Sequence, residues 1–307
     1  MLPQTLHQLF SLKNQFWCLP QLRLCKPQNC FFRKSWRFGL LSFILTMLLV
    51  SCNQITSVPQ SSRATIQPPA QTSAILVSAA ASLQKALQEI TPLYTQAYTQ
   101  ANPKQTVNYN FAASGALQQQ IEQGAPIDVF ISAADKQMKA LQEKGLLVSE
   151  TQKNLLTNQL VLITLKQSSI SLTDFSQLVK TEVQRISIGE PRTVPAGQYA
   201  TEVLKNLGIL ESVKSKFVLG NNVKSVLTAV ETGDVEAGIV YLTDAKSSDK
   251  VAIAAIADPK LHSSIRYPIA VLKSSKEPNA AKQYVEFLQG NEAKAIFVKY
   301  GFGIPAP

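Results

Sequence analysis

The sequence predicts an α/β fold with largely parallel sheets, and three observations carry that prediction. Short runs rich in β-branched residues alternate with segments whose apolar residues recur at helical spacing. Where a run gives way to a helix, the turn is repeatedly built from alanine, glycine, serine or asparagine. The composition, 45% hydrophobic and 16% charged over 307 residues, suits a chain with a sizeable core in about two domains.

Residues 1–51 stand apart from the rest. They hold Lys13, Arg23, Lys26, Arg33, Lys34 and Arg37 and no acidic residue. Subtracting these six from 30 basic residues leaves 24 against 20 acids, so the net charge of +10 falls to +4. That balance does not mark a nucleic-acid binder. The apolar run 39–50 (GLLSFILTMLLV) is too short to span a bilayer and fits the core of an export signal. Leu49-Val50-Ser51-Cys52 follows and resembles the bacterial lipobox, in which Cys52 would be lipidated and become the mature N-terminus. The competing reading is a cysteine that happens to follow a conventional cleavage site. The four cysteines are Cys18, Cys25, Cys30 and Cys52, so the mature domain is expected to hold neither disulfides nor thiol chemistry. Residues 52–72, rich in Ser, Gln, Pro and Thr, read as a flexible tether.

From residue 73 onward the alternation begins. The stretch 75–90 (ILVSAAASLQKALQEI) reads as a buried strand, a small-residue turn and a helix opening at Ser82. Leu83, Leu87 and Ile90 fall on one face of that helix, and Ser82 has the chemistry of an N-cap. Residues 107–111 form a strand that leads to a helix carrying Leu117 and Ile121. Residues 127–131 form another, followed by a helix over 136–143 that Gly145 is placed to end. Further strands are expected at 160–164, 186–188, 217–219, 238–241, 251–254 and 267–272, with Pro268 near the start of the last. Between them lie helical patterns at 200–207 and 226–230, and two helices close the chain at 279–288 and 292–300.

Catalytic chemistry is hard to find in this inventory. The mature part has one histidine, His262, in a loop context that reads as solvated surface. There is no nucleophilic cysteine, G-x-S-x-G elbow, H-E-x-x-H pair or Walker A sequence. The carboxylates Glu231, Asp234 and Glu236 crowd one polar turn and read as solvated charges. An enzyme is not expected.

What the sequence does offer is four similar strand-to-helix turns. They are Ala79-Ala-Ala-Ser82, Ala112-Ala-Ser114-Gly115, Val194-Pro195-Ala196-Gly197 and Gly220-Asn-Asn222-Val223. The third helix is expected to open after its Pro and Gly, and the fourth is expected to be capped by Asn222. Such turns aim backbone amides at the carboxyl edge of a sheet, where open α/β folds bind ligands. Small residues let a ligand approach the main chain. The turns carry almost no charge, and neutral amides and hydroxyls suffice to hold a fully ionised oxyanion. A protonated anion would fare worse, because a buried proton without an acceptor costs about 1–3 kcal/mol.

On the segments 79–83 (AAASL), 111–117 (FAASGAL), 124–131 (GAPIDVFI), 194–199 (VPAGQY), 238–241 (GIVY) and 299–302 (KYGF), residues 74–302 resemble the periplasmic molybdate-binding proteins of ABC importers. The resemblance implies a periplasmic-binding-protein type II fold of two lobes. Each lobe would be a mixed, mostly parallel sheet flanked by helices, with the ligand in the cleft between them. Lobe 1 would use 73–157 and 266–307, and lobe 2 would use 158–265. It further implies oxyanion contacts from the hydroxyls of Ser82, Ser114 and Tyr241 and the amides of Ala196 and Val223, with no direct metal ligand. Tyr241 read without the resemblance is a strand-end aromatic finishing a core. Some relatives carry further hydroxyls where this chain has Ala113 and Gly115. The expected ligand is molybdate or tungstate, between which the sequence does not choose. The alternative is sulfate or another small tetrahedral oxyanion. No cofactor is implied. The implied partners are a membrane permease and, through the lipid on Cys52, the periplasmic side of the plasma membrane, for a monomer that binds no nucleic acid.

Overall fold

The computed structural model describes residues 74–99 and 105–306. The expected export signal, tether and lipidated Cys52 lie outside the described residues. The chain runs β1 (Ala74–Ala80), α1 (Gln84–Thr99), β2 (Thr106–Ala112), α2 (Ser114–Glu122), β3 (Val129–Ile131), α3 (Asp135–Glu143) and β4 (Lys153–Thr157). It continues through β5 (Leu160–Leu165), β6 (Ile186–Gly189), α4 (Pro195–Asn206), α5 (Leu210–Val213), β7 (Phe217–Gly220), α6 (Val223–Glu231), β8 (Ala237–Tyr241), α7 (Leu242–Lys246) and β9 (Val251–Ile256). It closes with β10 (Arg266–Val271), α8 (Pro278–Leu288) and α9 (Asn291–Lys299).

Two five-stranded sheets result, ordered β2-β1-β3-β10-β4 and β7-β6-β8-β5-β9. In the first, β1 pairs in parallel with β2 and β3, and β10 runs antiparallel between β3 and β4. The second repeats the plan, with β6 parallel to β7 and β8, and β5 antiparallel between β8 and β9. Each sheet is thus mixed, with one reversed strand fourth in the order. Parallel neighbours need helical crossovers, so helices cover the sheets and β1, β6 and β8 are almost continuously buried. Leu83, Leu87 and Ile90 are fully buried against the first sheet, as their spacing predicts.

The reversed strands are where the chain changes lobe. Strand β4 passes to β5 through residues 158–159, and β9 passes to β10 through 257–265. These crossovers are bonded to each other and to their strands, Asn158 N–H donating to Ile265 O (3.3 Å) and Ala257 N–H to Leu160 O (2.9 Å). Strand β4 was not expected. Its KNLLT pattern is half exposed at the sheet edge, with only Leu155 and Leu156 buried. Pro268 sits in a central strand, not at an edge, and the β10–β4 register slips between Tyr267 and Pro268. That irregularity is what accommodates a residue without an amide proton. Gly145 ends α3 with φ +67°, the left-handed conformation its position calls for. No described helix is long and apolar enough to cross a membrane.

Candidate functional site

The two sheets meet at a small cleft. All five expected contact residues line it: Ser82 and Ser114 from the first lobe, and Ala196, Val223 and Tyr241 from the second. The remaining lining residues are alanines, Val194 and Pro195, so among the described residues no charged side chain lines the cleft. Three helices begin there. Ser114 is the first residue of α2, Ala196 the second of α4, and Val223 the first of α6. Their positive dipole ends favour an anion.

Local sequence decides which amides are left over at those helix starts. In α4, Pro195 has no N–H, and the amides of Gly197 and Gln198 both donate to Val194 O (3.0 and 3.1 Å). The helix therefore opens at Pro195 itself, not after Pro195 and Gly197 as the sequence reading expects, because proline is preorganised for the first helical position. In α6, the Asn222 side chain caps the amides of Lys224 (2.9 Å) and Ser225 (3.1 Å). The amides of Ala196 and Val223 are bonded to no acceptor among the described residues. Each cap leaves one donor for the cleft.

The serines depart from the expectation in an instructive way. Ser82 is not an N-cap. It lies inside a 3-10 turn, Ala81–Leu83, that precedes α1, and the flanking Ala80 makes no side-chain cap. Its hydroxyl instead lies 2.9 Å from the Tyr267 hydroxyl. Ser114 Oγ accepts the Ala133 amide (2.9 Å), which fixes the oxygen and leaves the proton free to point into the cleft. Across the lobes, Tyr241 Oη donates to Ala133 O at 3.5 Å, and Gly115 N–H donates to Thr193 O at 2.9 Å. Burial first, with Tyr267, Tyr199 and Asp244 adding to it, pushes the Tyr241 hydroxyl well above the ordinary phenol value, so it remains a donor.

One buried charge stands behind the cleft. Asp244, on α7, is fully buried, with Lys224 Nζ 2.8 Å from its Oδ1. Burial raises the Asp244 carboxyl above its usual value, and Lys224 opposes the shift. The pair ties α6 to α7, and hence the Val223 amide to the Tyr241 hydroxyl.

Groups outside the cleft read differently from their sequence context. Glu231 accepts from Ser248 Oγ (2.5 Å), Asp234 from Thr232 Oγ1 (2.6 Å), and Glu236 from the amides of Gln184 and Arg185 (3.1 and 2.6 Å). Glu231 and Glu236 are partly buried and bond to distant segments, whereas Asp234 is exposed as the sequence reading expects. His262 is half-buried, its ring edge-on to Tyr199 at 5.9 Å. No group of His, Cys, Asp and Glu among the described residues is arranged to hold a metal ion. Sequence reading missed Ala133, although Ser132-Ala133-Ala134 is a fifth small-residue turn between β3 and α3. It also missed Tyr267, for which no local signal exists.

Comparison with known proteins agrees with this architecture. The family model for bacterial extracellular solute-binding proteins matches residues 75–303. A putative ABC transporter substrate-binding lipoprotein of Bacillus subtilis is 42% identical over 228 residues, 74% of this chain and 85% of the relative. A molybdate-binding protein of Haemophilus influenzae is 38% identical over 231 residues, 74% and 89% of the two chains. Among solved structures, the substrate binding domain of a putative molybdenum ABC transporter from Clostridium difficile superposes with a TM-score of 0.58 at 43% identity, covering 76% of this chain and 99% of that one. The chain belongs to the bacterial extracellular solute-binding protein family.

Proposed function

We propose that this chain is the extracytoplasmic molybdate-binding component of an ABC importer, that it takes tungstate as well, and that it works by binding and not by catalysis. The observation that carries the reading is an uncharged cleft whose inward groups are donors. The Ser82, Ser114 and Tyr241 hydroxyls and the Ala196 and Val223 amides are the contacts, the Tyr241 proton turning from Ala133 O to the anion, and several amides together hold a dianion without a cation. The names of the relatives favour molybdate over sulfate. The lobes would close on the anion because it binds the closed form better. A lipid on Cys52 would keep the monomer beside its permease, a second signal or several acyl chains giving stable anchoring.

A thermal-shift series on the mature domain tests the ligand. Molybdate and tungstate are expected to raise the melting temperature at low concentration and sulfate to do so poorly. A larger shift with sulfate or phosphate would replace the molybdate assignment by the alternative. Within the same site, Ser82→Ala should weaken binding by about 1–3 kcal/mol, read by calorimetric titration. An unchanged dissociation constant would remove Ser82 from the contacts.

A further inference from the structure

Ser82 is one end of a hydrogen-bonded chain that leaves the cleft and passes through the crossover between the lobes. Its Oγ meets Tyr267 Oη at 2.9 Å, Tyr267 Oη meets Asn158 Nδ2 at 3.2 Å, and Asn158 Nδ2 meets Thr243 Oγ1 at 2.9 Å. Tyr267 lies on β10 of the first lobe, Asn158 in the crossover 158–159, and Thr243 on α7 of the second lobe, two residues beyond Tyr241. Tyr267 is fully buried, wedged edge-on between Tyr241 (5.9 Å) and Phe302 (5.4 Å).

Donor accounting gives this chain a direction. The Gln159 amide donates to Asn158 Oδ1 (2.9 Å), which fixes the side-chain amide so that its NH2 group faces Tyr267 and Thr243. An NH2 group only donates, so Tyr267 Oη accepts there. Among the described residues, the one remaining partner for the buried Tyr267 proton is Ser82 Oγ. Were Ser82 to donate instead, that proton would be buried without an acceptor. Tyr267 therefore donates to Ser82, and the Ser82 proton is left for the cleft. Burial first, then the Asp244 charge, holds the Tyr267 hydroxyl far above the ordinary phenol value, so the donor persists.

The geometry points to Tyr267 as the positioning residue that makes Ser82 a one-way donor to the bound anion, with Asn158 in the crossover holding Tyr267 in that role. Aligned hydrogen bonds polarise one another, so the chain strengthens the donor it ends on. It also occupies a Ser82 lone pair that a protonated anion would otherwise use. The inference rests on the reading of Ser82 as a ligand contact.

The test is a double-mutant cycle on the mature domain, with molybdate and inorganic phosphate titrated into wild type, Tyr267→Phe, Ser82→Ala and the double variant. Tyr267→Phe keeps the packed ring and removes the hydroxyl. It should weaken molybdate about tenfold in the wild-type background and less than about twofold in the Ser82→Ala background. It should also narrow the preference for molybdate over phosphate, since phosphate carries a proton at neutral pH and Ser82 could then accept it. Equal losses in both backgrounds, or equal weakening of both anions, would assign Tyr267 a structural role and overturn the inference. Asn158→Asp is a second variant that presents an acceptor to Tyr267 and draws its proton away from Ser82. It too should weaken molybdate, and unchanged affinity would overturn the part given to Asn158. A wild-type protein that bound neither anion would instead overturn the reading of the site itself.

Discussion

Replacing Gly115 by alanine is expected to cost most of the ligand affinity while leaving the unliganded fold nearly as stable. Gly115 is the second residue of α2, and its amide donates across the lobes to Thr193 O at 2.9 Å. A Cβ there would lie 2.6 Å from Thr193 O and 2.8 Å from Thr193 Cα. Both atoms are backbone, so no side-chain rotation relieves the clash, and the lobes must part instead. Forcing a methyl into a packed contact costs about 1–3 kcal/mol, which is about one to two powers of ten in affinity. Within the helix, alanine is favoured over glycine by about 1 kcal/mol, so the separated lobes should not suffer. Titration with molybdate beside thermal unfolding without ligand would show the split. An unchanged dissociation constant would mean that this contact is not part of the binding-competent form. In this chain the glycine serves close approach between the lobes.

The second large effect falls on stability. Asp128, just before β3 and nearly buried, accepts from the Leu76 amide (2.7 Å), Ser275 Oγ (2.6 Å) and the Lys276 amide (3.2 Å). It joins β1 to the loop between β10 and α8, segments far apart in sequence. Asp128→Ala leaves three donors without a partner, at about 1–3 kcal/mol for each that water does not reach. A loss of about 2–4 kcal/mol is expected, and in a domain of this size that lowers the melting temperature by about 5–15 °C. Denaturant unfolding of the variant measures it directly, and a loss below about 0.5 kcal/mol would mean that water replaces the carboxylate. Affinity in the folded fraction should be unchanged, because Asp128 does not line the cleft.

These two residues show how unevenly the structure was legible. Asp128 lies inside one of the segments on which the family resemblance rests, yet nothing in GAPIDVFI says that its carboxylate binds three donors from elsewhere. In the sequence Gly115 reads as a missing hydroxyl, and only the facing backbone of Thr193 shows what its missing Cβ permits. The inner strands β1, β6 and β8 are readable because burial on both faces writes a nearly uninterrupted apolar run. Strand β4 was not, since an edge strand buries only part of its surface and KNLLT has no period to find.

The sequence by itself determined the alternation of strands and helices, the small-residue turns at the helix starts, and a site with donors and no charge. Those are local properties, set by side-chain size, apolar period and capping chemistry within a few residues. It even determined which amides stay free, because Pro195 lacks a proton and Asn222 takes the two amides beyond Val223. Only the tertiary structure decided the direction of the Ser82 hydroxyl. Local sequence makes the serine of the first strand-to-helix turn a cap, but its oxygen meets Tyr267, 185 residues away. A hydroxyl takes the partner that burial brings to it, and burial is a property of the whole fold.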